Sequence, residues 1–259
     1  MDSKTNGNIN TSFDGRVALV TGAAQGIGKA TALVFARREA NVAVLDIQKD
    51  GAEQTVSEIT KLGGKAMVLH KDVSIEDDIR SAIEQTVQVF GQLNYAFNNA
   101  GIFENIGTTA DLSAEDFDRV IAVNLRGVFL GMKYQILQML KQGSGVIVNN
   151  SSVAGGIGFA GIPAYTASKH GVLGLTKTAA IDYAQSNIRI NAVCPGVIST
   201  PMMDKFSAIV GRDRLIGMEP IGRMGRPEEI AEVVLWLCSD ASSFVTGHAL
   251  FADGGFTIH

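Results

Sequence analysis

Tyr165 and Lys169 stand four residues apart in Tyr165-Thr166-Ala167-Ser168-Lys169, inside a stretch that reads as helix. Residues i and i+4 leave a helix on one face, so this spacing holds a phenol beside an ammonium. A free phenol ionises near pH 10. A cation about 5 Å away, at an effective dielectric of about 20, favours the phenolate by about 3 kcal/mol, or about two pK units. Such a shift lets a tyrosine give and take a proton near neutral pH, where general acid–base catalysis works best. Alone, the pair equally fits an amphipathic helix with both polar tips in water. The segments around it have to decide.

Arg16-Val17-Ala18-Leu19-Val20-Thr21 is a short apolar, β-branched run that reads as a buried strand. It passes into Gly22-Ala23-Ala24-Gln25-Gly26-Ile27-Gly28 and then into a helical pattern. Strand, glycine turn and helix in that order make a phosphate-binding loop credible. Glycines allow backbone angles and approaches that a Cβ blocks, and the helix start offers free N–H groups and a positive dipole end to a pyrophosphate. The next strand, Asn41-Val42-Ala43-Val44-Leu45, ends at Asp46, about 20 residues beyond the glycines. A carboxylate there accepts hydrogen bonds from both hydroxyls of an adenosine ribose and repels the 2′-phosphate of NADP. Neither Gln25 nor Ile47 supplies a cation to offset that phosphate. The expected cofactor is therefore NAD(H).

Further motifs follow in order: Asn98-Asn99-Ala100-Gly101, then Ser152 ahead of Tyr165-x-x-x-Lys169, then Pro195-Gly196. With the glycine loop they resemble the short-chain dehydrogenase/reductase family from about Arg16 to the end of the chain, and jointly they are highly specific. Within the family the chain is similar to NAD-dependent secondary-alcohol dehydrogenases and β-ketoacyl-carrier-protein reductase-like members. The resemblance implies an α/β Rossmann-type doubly wound parallel sheet of seven strands in the order 3-2-1-4-5-6-7. Periodicity places strands near 16–21, 41–46, 65–70, 93–98, 145–151, 188–194 and 248–252. Helices are expected near 26–39, 50–62, 75–90, 113–140, 163–184 and 227–238. In such sheets ligands bind beyond the carboxyl ends of the strands, where every motif named here lies.

That placement suggests more cofactor contacts. Asp72-Val73 borders the adenine, with a carboxylate for its amino group and an N–H for a ring nitrogen. Asn99-Ala100-Gly101 keeps backbone close to the ribose or braces neighbouring strands. In Pro195-Gly196-Val197-Ile198-Ser199-Thr200-Pro201, the Ile198 backbone and the Thr200 hydroxyl hold the nicotinamide carboxamide, and the resemblance implies B-face transfer. Ser152 precedes Tyr165 by 165 − 152 = 13 positions, the family spacing, which selects it over Ser151 as the hydroxyl that polarises the substrate oxygen. The resemblance also makes Asn124 a catalytic residue, loosening its helix and holding a water that reaches Lys169. Tyr165 is then the general base and acid, and Lys169 lowers its pKa and binds the nicotinamide ribose.

The chain has 259 residues and a net charge of −4 with no basic run, which fits one domain and no nucleic-acid partner. The reading is a polar, disordered tail over 1–12 and a single catalytic domain over 13–259, with a lid at 197–220 implied by the family. Cys194 and Cys238 are isolated in apolar surroundings, fitting buried thiols of a cytoplasmic protein, and the histidines show no metal-ligand spacing. No segment reads as a membrane span or signal peptide. Apolar lid residues, together with Phe103, Val153, Ile157 and Phe159, suit an apolar or cyclic secondary alcohol or ketone. Apolar positions on several faces of helices 113–140 and 163–184 call for a partner surface, and the family implies a homotetramer. The alternatives are a 3-oxoacyl-carrier-protein reductase and a catalytically idle NAD(H)-binding scaffold.

Overall fold

The computed structural model describes residues 13–258; the expected disordered tail over 1–12 lies outside the described residues. Seven short runs rich in valine, isoleucine and alanine pair in parallel in the order β3-β2-β1-β4-β5-β6-β7, as expected. The chain enters through β1 (Val17–Thr21), α1 (Gly26–Arg37), β2 (Asn41–Asp46), α2 (Lys49–Lys61) and β3 (Ala66–His70). It crosses by α3 (Glu76–Phe90) to β4 (Tyr95–Asn98) and continues through α4 (Ala114–Ile121) and α5 (Gly127–Gln142). The second half runs β5 (Gly145–Asn150), α6 (Pro163–Tyr183), β6 (Ile188–Pro195), α7 (Pro201–Val210), α8 (Arg212–Gly217), α9 (Pro227–Cys238) and β7 (Ala249–Ala252).

Alternation along the strands divides the core in two, because successive side chains point to opposite faces of a sheet. Val20, Val44 and Val148 join Val34 and Phe35 of α1 and Ile230 and Val234 of α9 on one face. Leu19, Leu45 and Ile147 join Ile79 of α3, Leu130 and Ile136 of α5 and Val172 of α6 on the other. A sheet buried on both faces needs near-continuous apolar strands, which β1, β2 and β5 supply. Its carboxyl edge is left to carry the chemistry.

Two elements differ from the sequence reading. The helix expected over 113–140 is interrupted by a π turn at Ala122–Arg126 between α4 and α5. The lid segment, for which no helices were expected, contains α7 and α8. Thr200 caps α7 by accepting the Met203 N–H at 3.2 Å, and Pro201 occupies its first turn. Ala114–Gln142 is long and apolar enough to cross a membrane by length and composition, against the sequence expectation, but half of its most apolar window is buried inside the fold.

Candidate active site

Helix α6 starts at Pro163, so Tyr165 sits in its first turn and Lys169 one turn later. Lys169 is buried, its Nζ donates to the Asn150 carbonyl at 2.8 Å, and it lies 5.4 Å from the centre of the Tyr165 ring. The two groups are therefore brought together, as their spacing requires. Their electrostatics correct the sequence argument. Burial pushes the Tyr165 phenol up to about 12; a hydrogen bond with Ser152 pulls against this, and the Glu104 carboxylate adds to it. Burial likewise pushes the Lys169 amine down to about 8. The Coulomb estimate counted the attraction between the pair and omitted the cost of taking both charges out of water, which is the larger effect here.

The glycine loop joins β1 to α1 at close quarters. Gly22 and Gly26 adopt φ of 64° and 57°, and a Cβ on Gly28 would stand 2.1 Å from the Gly22 carbonyl oxygen. The loop borders a cleft of about 390 Å³ that reaches Gly22, Gln25, Gly26, Ile27 and Asp46 on one side. Asp46 is buried at the end of β2, its two oxygens accepting the N–H groups of Ala24 at 2.9 Å and Gln48 at 2.8 Å. The same cleft reaches Asp72, Val73, Asn99, Ala100, Gly101, Tyr165, Lys169 and Thr200. Asp72 closes a small turn by accepting from the Ser74 N–H and hydroxyl at 2.8 and 2.7 Å. Asn99 braces the β1 turn, its Nδ2 donating to the carbonyls of Thr21 and Gly22 at 2.9 and 3.1 Å.

These features fit an extended dinucleotide. A Cβ at Gly22 or Gly26 would crowd the walls, at 2.8 Å from Ala100 and 3.2 Å from Thr200. The cleft holds one further signal: Asn150 Oδ1 is buried with no hydrogen-bond partner among the described residues, and Asn150 borders the cleft. Gly28 stands behind the cleft, packing α1 onto the β1 turn rather than lining it.

A smaller cavity of about 120 Å³ shares Tyr165, Asn150 and Thr200 with the cleft. Ser152, Pro195, Gly196 and Ile198 border this second cavity and are absent from the wall of the first. Its other walls include Phe103, Val153, Phe159, Ile162, and Met202, Met203, Phe206, Leu215 and Met218 from the lid, with no Asp, Glu, Lys or Arg in the lining. Ile157 and Ile209, expected in the apolar wall and lid, are 36% and 71% exposed and lie outside it. Ser151 and Ser152 both border the cavity, but Ser151 donates its hydroxyl to the Lys169 carbonyl at 2.9 Å, whereas Ser152 hydrogen-bonds the Tyr165 phenol.

Asn124 is fully buried in the π turn, so the helix ladder is loosened where expected. Its side chain is occupied by Ile102, accepting that residue's N–H and donating to its carbonyl, both at 2.8 Å. Two groups escaped the sequence reading. The Asn150 carbonyl anchors Lys169, and the pair of asparagines in an otherwise apolar buried strand was the available signal. Glu104 accepts the Tyr165 N–H, a contact across 61 residues that no local pattern announces.

Residues 22–257 match a family model described as enoyl-(acyl carrier protein) reductase. A cyclohexanol dehydrogenase from Acinetobacter sp. (strain SE19) is 46% identical over 249 residues, covering 96% of this chain and 98% of that protein. A 3-oxoacyl-[acyl-carrier-protein] reductase from Thermotoga maritima is 45% identical over 246 residues, covering 95% and 99%. The crystal structure of a 3-ketoacyl-(acyl-carrier-protein) reductase from Brucella melitensis complexed with NADH superposes with a TM-score of 0.90 at 35% identity, covering 95% of this chain and 100% of that one. The long cleft, the buried tyrosine–lysine pair and the adjoining apolar cavity suit a nicotinamide-dependent oxidoreductase. The chain belongs to the short-chain dehydrogenase/reductase family and is an alcohol/ketone oxidoreductase that works with a nicotinamide cofactor.

Proposed function

We propose that the protein is a cytoplasmic, NAD-dependent dehydrogenase that interconverts an uncharged, apolar secondary alcohol, preferably cyclic, and its ketone. The observation that carries this reading is that Tyr165 borders both the dinucleotide cleft and the apolar cavity, so one hydroxyl faces cofactor and substrate together. A bound nicotinamide would supply the hydride acceptor for alcohol oxidation and the hydride donor for ketone reduction. Tyr165 accepts the alcohol's hydroxyl proton in oxidation and protonates the carbonyl oxygen in reduction. Ser152 donates a hydrogen bond to the same oxygen. Lys169 would hold the nicotinamide ribose and, while protonated, favours the phenolate; Asn124 fixes the Ile102 backbone beside it.

The rest of the cofactor is held by the loop and strand ends. The N–H groups of the Gly22–Gly28 turn take the pyrophosphate, and Asp46 the adenosine ribose. Asp72 and Val73 border the adenine, Asn99, Ala100 and Gly101 the ribose, and Pro195, Gly196, Ile198 and Thr200 the carboxamide. The Thr200 oxygen already accepts from Met203, which leaves its O–H to donate. A buried carboxylate at Asp46 opposes a 2′-phosphate and selects NAD. The cavity wall has no cation to meet a substrate carboxylate, and burying that charge unpaired is costly.

The 45% identical reductase from Thermotoga maritima supports a second reading, reduction of a 3-oxoacyl thioester. Initial rates with NAD⁺ and NADP⁺ on cyclohexanol, 4-hydroxycyclohexanecarboxylate and a 3-hydroxyacyl pantetheine thioester separate the two. The proposal expects cyclohexanol to be the best of these, with kcat/KM at least about tenfold higher for NAD⁺ than for NADP⁺. A thioester oxidised best, with NADP⁺ preferred, supports the second reading. Tight NADH binding without turnover of any alcohol or ketone returns the protein to an idle scaffold.

A further inference from the structure

Glu104 is a carboxylate only 6% exposed, and both its oxygens accept the Tyr165 backbone N–H, at 3.0 and 3.1 Å. Among the described residues no Lys, Arg or His forms an ion pair with it. A buried carboxylate with so little compensation is costly, and the N-terminal end of the 21-residue helix α6 offsets part of that cost. Its two predecessors are committed to the same place. Ile102 is clamped on both backbone groups by Asn124, and the Phe103 ring lies 4.1 Å from the Tyr165 ring, centre to centre. Three consecutive residues thus connect the segment after β4 to the π turn, to the tyrosine ring and to the tyrosine amide.

We propose that Glu104 is a positioning residue for Tyr165: it fixes the backbone from which the phenol projects and sets a carboxylate near it. The proposal rests on the reading of Tyr165 as the acid–base group. The groups acting on the phenol are Ser152 from the end of β5, Lys169 from α6, and Glu104; Cys194 of β6 faces Lys169. Glu104 is the acid in this set, and it opposes loss of the phenolic proton. Its charge therefore keeps Tyr165 in the form that donates to a ketone, while Lys169 pulls the other way.

Glu104→Gln tests the charge and Glu104→Ala the grip, each in the full-length protein. Tyrosinate absorbance is titrated in wild type and variants, and the Tyr165 contribution is isolated by subtracting Tyr165→Phe. Glu104→Gln keeps an acceptor for the amide and is expected to ionise Tyr165 about one pH unit lower, with the rising limb of alcohol oxidation moved by the same amount. Glu104→Ala is expected to lower kcat about tenfold or more with KM for the dinucleotide unchanged. Coincident tyrosinate titrations of wild type and Glu104→Gln, or a Glu104→Ala variant that loses thermal stability while keeping kcat and pH profile, would overturn the proposal and leave a plain helix cap. The titration needs no turnover, so it decides Glu104 even if every alcohol fails as a substrate, a result that counts against the function alone.

Discussion

At the scale of single residues, the site is governed by the contest between burial and charge. Tyr165 is pushed up to about 12 and Lys169 down to about 8, so at neutral pH the phenol keeps its proton and the amine is largely a cation. A protonated phenol is already the acid that ketone reduction requires. Alcohol oxidation requires the base, whose population rises with pH. The sign is therefore definite: kcat/KM for oxidation should climb from pH 7 by about tenfold per unit and level off above about pH 8, where Lys169 loses the charge that favours the phenolate, while reduction shows no such rise. Initial rates in both directions across that range check it. An oxidation rate that falls over the interval contradicts the assignment. Sequence could supply the proximity of the pair, since a helix fixes it. It could not supply the direction of the shift, because that depends on how much water the folded walls exclude.

At the scale of elements, legibility tracks the range of the contacts. The glycine turn, Asp46 and the Tyr165–Lys169 pair were readable because a strand end, a tight turn or one helical turn sets each of them locally. The fully buried strands β1 and β5 were readable from apolar runs that leave little room for another structure. Thr200-Pro201, by contrast, carries a helix-start signal, but the sequence reading assigns Thr200 to the cofactor and so expects neither α7 nor α8. The π turn at Ala122–Arg126 has no residue pattern of its own, and its asparagine is recognisable by the bonds it makes to Ile102. The lid nevertheless bears on the tyrosine: Phe206 of α7 stacks on Phe103 at 5.4 Å, and Phe103 packs on Tyr165 at 4.1 Å.

At the scale of the whole molecule, the apolar helices are only half covered. Leu130 and Ile136 of α5 are buried in the core, whereas Phe129, Leu137 and Leu140 on the same helix are 46%, 49% and 42% exposed. Ile121, Leu125, Phe129 and Leu175 border a shallow open depression between the π turn, α5 and α6. Helices apolar on more than one side bury the second side against a partner, and a second copy of this chain is the economical one. The chain of 27.4 kDa is expected to assemble as a homotetramer, with the mass measured by light scattering at micromolar concentration. A monomer under those conditions would refute the assembly.

The account stands on the hydroxyl of Tyr165, and replacing it by phenylalanine removes that hydroxyl while retaining the ring that packs on Phe103. Fluorescence titration with NADH and steady-state turnover of cyclohexanol are measured on the same preparation of Tyr165→Phe. Binding is expected to persist, and kcat to fall by about two to four orders of magnitude. Turnover close to wild type would contradict the central claim that this phenol carries the proton.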